Sequence, residues 1–261
     1  MKFKAAFFDI DNTLFDYKTM RFVPSALDAI KAFQAQGGKV FISSARCFDL
    51  IRSFGTFHLG ISWDGYIAFC GGFAVADHKI LKNETTPPSL IRKLIQVCKE
   101  NGLGLEILAP RSRYLATPVN DYVRAYHSVF IDPLPRVRQY RGERVNGALL
   151  FAPAQYDEIV RRAVPPLILN RFQEFGADIA LSLDRSKGLG CKAILDYYGI
   201  KKEEAIAFGD SEPDLSMGEY CQELVIMGDG DPACQKKATF VTAPAHKDGI
   251  KLAFEHFGGL K

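Results

Sequence analysis

Short apolar runs that stop abruptly at acidic or hydroxyl-bearing residues recur at both ends of this chain, and they constrain its fold more than any other feature. Lys4 to Phe8 is such a run, ended by the polar cluster Asp9 to Asp16. Val40-Phe41-Ile42 is followed by Ser43-Ser44, and Ala205-Ile206-Ala207-Phe208 by Gly209-Asp210-Ser211. Brief apolar runs bounded in this way read as strands buried on both faces, the habit of parallel sheets. Between the first two, Pro24 opens a helical pattern (Ala26, Leu27, Ile30, Phe33) that Gly37-Gly38 closes. A helix near Phe48 to Phe54 and a strand over Tyr66 to Phe69 continue the alternation. The last third repeats it, with a helix over Lys187 to Tyr198, further strands over Glu223 to Met227 and Thr239 to Thr242, and a helix over Ile250 to Phe257. Strand–helix–strand alternation predicts an α/β fold, a Rossmann-like doubly wound parallel sheet.

Residues 83–183 break the rhythm. Pro87-Pro88 precedes a helix over Ser89 to Asn101, after which strand-like pieces dominate: Leu103 to Leu108, Val145 to Ala152, Leu167 to Phe175 and Asp178 to Leu183. Helices near Val119 to His127 and Gln155 to Ala163 interrupt them. The expectation is a core built from residues 1–82 and 184–261, with an α+β cap domain, residues 83–183, inserted between its halves.

Bulk properties narrow the function. Hydrophobic residues make up 48% and charged residues 24% of the 261 positions, an ordinary globular balance. Net charge is +3, too small an excess for nucleic acid to be the main ligand. No apolar run approaches the roughly 18 residues that cross a bilayer, so no membrane partner is expected. Met1-Lys2-Phe3-Lys4 leads into a strand without a secretory-type apolar stretch, and a cytoplasmic location is expected. The six cysteines (Cys47, Cys70, Cys98, Cys191, Cys221, Cys234) form no Cys-x-x-Cys pair, which argues for reduced thiols over a zinc cluster or disulfide framework.

Ligands of open α/β sheets sit outside the carboxyl ends of the strands. That rule selects four places. Asp9-Ile10-Asp11-Asn12-Thr13-Leu14 follows the first strand, and two carboxylates so close are costly unless a cation lies between them. Magnesium takes such oxygens, and an aspartate can also store a phosphoryl group. A turn or helix cap is the structural alternative, whereas a calcium loop fails because Leu14 and Met20 stand where its Gly and Glu belong. Ser43-Ser44-Ala45-Arg46, read as a helix start, offers a hydroxyl and free amides to a phosphate or, more simply, an N-cap. Lys187 also opens a helix, against the dipole, as though an anion held it there. Asp210 and Asp214 supply two more carboxylates that either join a magnesium site or cap a helix.

Taken together, Asp-x-Asp-x-Thr-Leu, a Ser after the second strand, a lone Lys and Gly-Asp-x-x-x-Asp resemble the haloacid dehalogenase superfamily, and the large insertion resembles its Cof-type branch of sugar-phosphate phosphatases. Met227-Gly228-Asp229 and Asp248-Gly249-Ile250 also fit that branch. The resemblance implies that Asp9 is the nucleophile, that Asp11 is the acid and then the base, and that Ser44 and Lys187 complete the catalytic set. It implies phosphate binding by Asn12, Ser44, Ala45 and Lys187, and Mg2+ held by Asp9, the backbone carbonyl of Asp11 and Asp210, with Asp214 supporting or joining the shell. The expected partner is a small phosphorylated metabolite, handled by a monomer or homodimer. The chain departs from the branch at Cys70, Ala45, Pro213 and Asp229. A phosphomutase and a weakly active or non-catalytic sensor of phosphorylated ligands are the alternatives.

Two further signals carry less. Gly228-x-Gly230-x-x-Ala233 formally matches a dinucleotide fingerprint, yet no room remains for the βαβαβ half it needs. Arg111, Arg113, Arg136, Arg138, Arg141 and Arg144 crowd the inserted segment, either as a solvated face or as clamps for an anionic substrate.

Overall fold

The computed structural model describes residues 2–110, 112–129, 133–165, 167–180 and 185–259. They fall into two compact units, one of Met1–Arg46, Leu50–Asn83 and Asp184–Lys261, the other of Cys47–Asp49 and Glu84–Leu183.

The first unit is built on an eight-stranded sheet in the order Phe240–Val241, Glu223–Ile226, Ala205–Gly209, Ala5–Phe8, Lys39–Ser43, Gly65–Ala68, Phe73–Ala76, Lys79–Asn83. The first six strands pair in parallel; the last two turn back antiparallel. Ala5–Phe8 is central, and all four of its residues are buried. Successive side chains point to opposite faces, as the pleat dictates. Phe8 stacks on Phe208 at 5.0 Å and joins Ile30, Phe33, Ile250 and Phe254 from the helices Pro24–Ala35 and Gly249–His256. Phe7 stacks on Phe41 at 5.0 Å and meets Cys191, Ile194 and Leu195 from the helix Lys187–Tyr198. Helices thus cover both faces, and every carboxyl end of the central strands opens on one edge.

Several elements escape the sequence reading, among them the strand Ser112–Leu115, the short helix Pro232–Gln235 and two hairpins. The hairpin Phe73–Ala76 to Lys79–Asn83 turns through Asp77 and His78, both with positive φ (46° and 61°). A short hairpin, Phe15–Asp16 to Arg21–Phe22, follows the first polar cluster. The helix after Lys39–Ser43 begins at Phe48, so Ser44 and Ala45 are not at a helix start as expected but in the loop before it.

The second unit carries a five-stranded antiparallel sheet in the order Ile168–Gln173, Gly176–Ala180, Gly147–Phe151, Gly104–Ala109, Ser112–Leu115. Residues 181–183 of the expected last strand lie outside the described residues. Ile91, Leu94 and Cys98 of Pro88–Glu100 and Val160 of Asp157–Ala163 pack with Leu105, Ile107, Leu150 and Ile179 of the sheet, so both helices lie on one face. Among the described residues no helix is long and apolar enough to cross a membrane.

The helix Lys187–Tyr198 lies so close to the turn Glu212–Glu219 that a Cβ on Gly188 would run into the Ser216 carbonyl. Gly188→Ala should therefore lower the unfolding free energy by about 1–3 kcal/mol, measured by chemical denaturation. An unchanged midpoint would mean that the two backbones do not meet there.

Candidate active site

Asp9 is the first residue beyond Ala5–Phe8, and its amide donates to the Phe208 carbonyl at 3.0 Å, which continues the ladder by one rung. Asp210 leaves the neighbouring strand, Ala205–Gly209, at the same edge. The turn after it is shaped by Asp214, whose Oδ2 accepts from the amides of Asp210 (3.0 Å) and Ser211 (3.1 Å). Gly209 is needed here because a Cβ would strike the Asp214 side chain.

Lys187 starts its helix behind Ser186, whose hydroxyl accepts from the Leu189 amide at 3.2 Å. Its side chain is 2% exposed and its Nζ donates to Asp9 Oδ1 at 2.7 Å and to Asp214 Oδ1 at 2.6 Å. Both oxygens of Asp214 are therefore engaged, one by the ammonium and one by the turn. One carboxylate oxygen from each of Asp9, Asp210 and Asp214 lies within 4.8 Å of the others.

Three carboxylates share one ammonium, and the electrostatics follow. Burial alone would lower the Lys187 ammonium, but Asp214 and Asp9 hold it well above its usual range. Burial raises the Asp9 carboxyl far above its ordinary value; Lys187 opposes this, while Asp214, Asp210 and Asp11 add to it. Asp210 is pushed up to about 7 by burial and by Asp214. Fully ionised, the three acids and Lys187 leave two negative charges uncompensated. That deficit, in an all-oxygen donor set, fits a divalent cation of the hard class.

Asp11 is turned to a different partner. Arg46 grips it with Nε to Oδ2 at 2.9 Å and Nη2 to Oδ1 at 2.7 Å, and the Tyr17 hydroxyl donates to Oδ1 at 2.7 Å. Burial would raise the Asp11 carboxyl, yet Arg46 and Tyr17 hold it below its ordinary value. Arg46 is itself stacked over the Phe54 ring at 4.2 Å. The side chain of Asp11 is thus not one of the three clustered oxygen donors. The sequence reading missed Tyr17 and gave Arg46 no role.

Ser44 follows Lys39–Ser43 and is fully buried; its hydroxyl accepts from the Arg46 amide at 3.1 Å. Ala45 is exposed. Asn12 adopts a positive φ of 53° and its Nδ2 donates to Asp210 Oδ2 at 3.4 Å. Of the expected residues, Asp9, Lys187, Asp210 and Asp214 form one cluster, and Asn12 touches its rim. In the second unit Arg113 donates to Glu106 at 3.2 Å, and Arg138 lies over the Tyr114 ring at 3.8 Å and pairs with Glu143. Arg111 lies outside the described residues.

An α/β core with an acid-lined, cation-seeking edge at the carboxyl ends of its central strands defines a class of hydrolytic enzyme, and comparison with known proteins gives its family. The chain belongs to the haloacid dehalogenase-like hydrolases, whose family model matches residues 6–254. It is 29% identical to YkrA of Bacillus subtilis (strain 168), named as a candidate phosphatase, over 100% of both chains. A hypothetical protein of Geobacillus kaustophilus HTA426 has the same fold, with a TM-score of 0.91 at 25% identity over 99% of this chain and 100% of that one. The subclass IIB sugar phosphatase BT4131 superposes with a TM-score of 0.81 at 25% identity over 98% of this chain and 100% of that one. The chain is accordingly a phosphatase of this family, an enzyme of phosphoryl transfer.

Lys187→Met should cost about 3–5 kcal/mol of stability near neutral pH in chelator, the usual penalty for removing one partner of a buried pair. The loss should shrink as pH falls, because the abandoned carboxylates take up protons. A pH-independent loss, read from denaturation curves, would contradict the assignment of that energy to unpaired charge.

Proposed function

We propose that this chain hydrolyses the phosphomonoester of a small phosphorylated metabolite, a sugar phosphate or a similar compound, with Mg2+ as cofactor and a transient phosphoryl group on Asp9. The observation that carries the proposal is the buried Lys187 ammonium shared by Asp9 and Asp214 with Asp210 beside them.

In this reading Asp9 attacks phosphorus through its carboxylate, the bond from phosphorus to the leaving oxygen breaks, and Asp11 delivers a proton to that oxygen. Water then attacks the aspartyl phosphate while Asp11 takes up a proton, which frees inorganic phosphate and restores Asp9. Lys187 keeps Asp9 from repelling the incoming dianion, and the Ser44 hydroxyl with the Ala45 and Asn12 edge hydrogen-bonds the phosphoryl oxygens. Arg46 and Tyr17 favour the ionised Asp11, the form the second step needs; the negative charge of an arriving phosphate favours its protonation for the first. A magnesium ion held by Asp9, Asp210 and the Asp11 carbonyl, with Asp214 behind them, would supply charge neutralisation at the transferring phosphoryl group. The second unit is assigned the choice of substrate. The sugar-phosphatase name of BT4131 supports the metabolite class.

Asp9→Asn should reduce magnesium-dependent phosphate release from p-nitrophenyl phosphate by about a thousandfold or more; parental activity in that variant would end the proposal. Because Asp210 is pushed up to about 7, magnesium binding should also release protons, more of them at pH 6 than at pH 8. Calorimetric heats that do not vary with the ionisation enthalpy of the buffer would show that no carboxyl is protonated before the ion arrives.

A further inference from the structure

The first unit holds a second group of metal-ligating side chains, separate from Asp9, Asp210 and Asp214. Asp16 ends the first strand of the short hairpin, Asp229 lies in the loop after Glu223–Ile226, and His246 lies in the turn Ala245–Lys247. One ligand atom from each lies within 4.8 Å of the others.

The distances point to an ion and away from a hydrogen-bonded cluster. His246 Nδ1 is 3.6 Å from Asp16 Oδ1 and 3.9 Å from Asp229 Oδ2, beyond hydrogen-bond reach. That nitrogen is shielded from solvent and has no hydrogen-bond partner, an arrangement proteins rarely tolerate. Ligands about 2.0–2.2 Å from a tetrahedral cation stand roughly 3.3–3.6 Å apart, close to the observed edges. The Asp16 carboxylate is held in place through its other oxygen, which accepts from the Thr19 amide at 2.9 Å and the Thr19 hydroxyl at 2.6 Å. Such outer bonds orient a ligand, and Oδ1, the oxygen that faces the ion, accepts only the Lys18 amide at 3.4 Å and keeps a lone pair for the ion. Side-chain exposures of 3% for Asp16, 25% for His246 and 20% for Asp229 leave the group partly dehydrated but reachable. A cavity of about 280 Å³, lined by Thr19, Arg21, Ser25, His246 and Asp248 among others, adjoins it. Lys18 Nζ occupies Asp229 Oδ2 at 2.9 Å, yet its side chain is 63% exposed and can swing into water.

We infer that Asp16, Asp229 and His246 form a binding site for a first-row transition cation of the zinc class, with a fourth position left to water. An imidazole beside two carboxylates selects zinc over magnesium, whereas the oxygen set around Asp9 selects the reverse. The ion would fasten the hairpin that follows the Asp9–Asp11 segment to the two loops opposite it.

The test is Zn2+ titration of the full chain carrying Asp210→Asn, which weakens uptake at the oxygen site, against a chromophoric chelator. One equivalent should bind, and adding His246→Ala should weaken it by about 30-fold or more, in line with the 10–100-fold cost of losing even an orienting partner. Co2+ in place of Zn2+ should give an intense visible band that His246→Ala abolishes. If His246→Ala fails to fold, Asp229→Asn, at a more exposed position, is read in the same way. No saturable uptake, or equal affinity in the parent and the variants, would overturn the inference.

Discussion

The ammonium of Lys187, sunk to 2% exposure between Asp9 and Asp214, is the interaction on which the rest of the site depends. An unpaired charge at that depth costs several kcal/mol, so neither side of the contact is tolerable alone. The contact joins three stretches of chain that sequence keeps far apart: the end of Ala5–Phe8, the start of Lys187–Tyr198 and the turn Glu212–Glu219. It also leaves more negative than positive charge, which is why acids near it hold protons that isolated aspartates would lose. A cluster that is largely buried, with only Asp210 partly open to solvent, and that carries excess negative charge when ionised is prepared for a further positive group. That property belongs to function more than to stability, since an apolar packing of the same volume would hold the fold as well or better.

The remaining geometry follows from how the sheet is covered. Phe7 and Phe8 commit the central strand to opposite faces, each against its own helices, so the strand ends only where apolar side chains run out. Asp9 comes immediately after. The neighbouring strand, in register from Ala5 and Ala205 to Phe8 and Phe208, brings Asp210 to the same level. Close backbone approach at Gly188 then seats the helix of Lys187 against the turn of Asp214. Positions of the acids are thus consequences of register, and the position of the base is a consequence of one missing side chain.

Most of this was legible because it is written in local periodicity. Four- and five-residue apolar runs ending in polar residues located the parallel strands, and Pro24 with Gly37-Gly38 bounded a helix to within two residues. What was not legible depended on partners chosen by the fold. The hairpin through Asp77-His78 lacks the Asn-Gly or Asp-Gly signal of a tight turn, although both residues adopt the left-handed backbone it requires. Ser44-Ala45 has the composition of a helix cap but lies in a loop, because the helix waits until Phe48. Nothing around Tyr17 marks it as a partner of Asp11, and Arg46 reaches that carboxylate across 35 positions of chain. The approach of Asp16 to His246 joins residues still farther apart in sequence.

The order of the sheet has a consequence for how the protein is made. Its central strand, Ala5–Phe8, hydrogen-bonds on one side to Lys39–Ser43 and on the other to Ala205–Gly209, whose residues leave the ribosome about 200 positions later. Glu84–Leu183, by contrast, is one continuous stretch that supplies all five strands of its own sheet. Synthesis from the N-terminus therefore completes the second unit while the first still presents an unpaired, wholly apolar edge. Such edges invite pairing with other chains. Loop-closure entropy of this size makes the last step slow. The strand that leads into Asp9 therefore waits about 200 residues for one of its two neighbours, and chaperone demand during expression should track that interval.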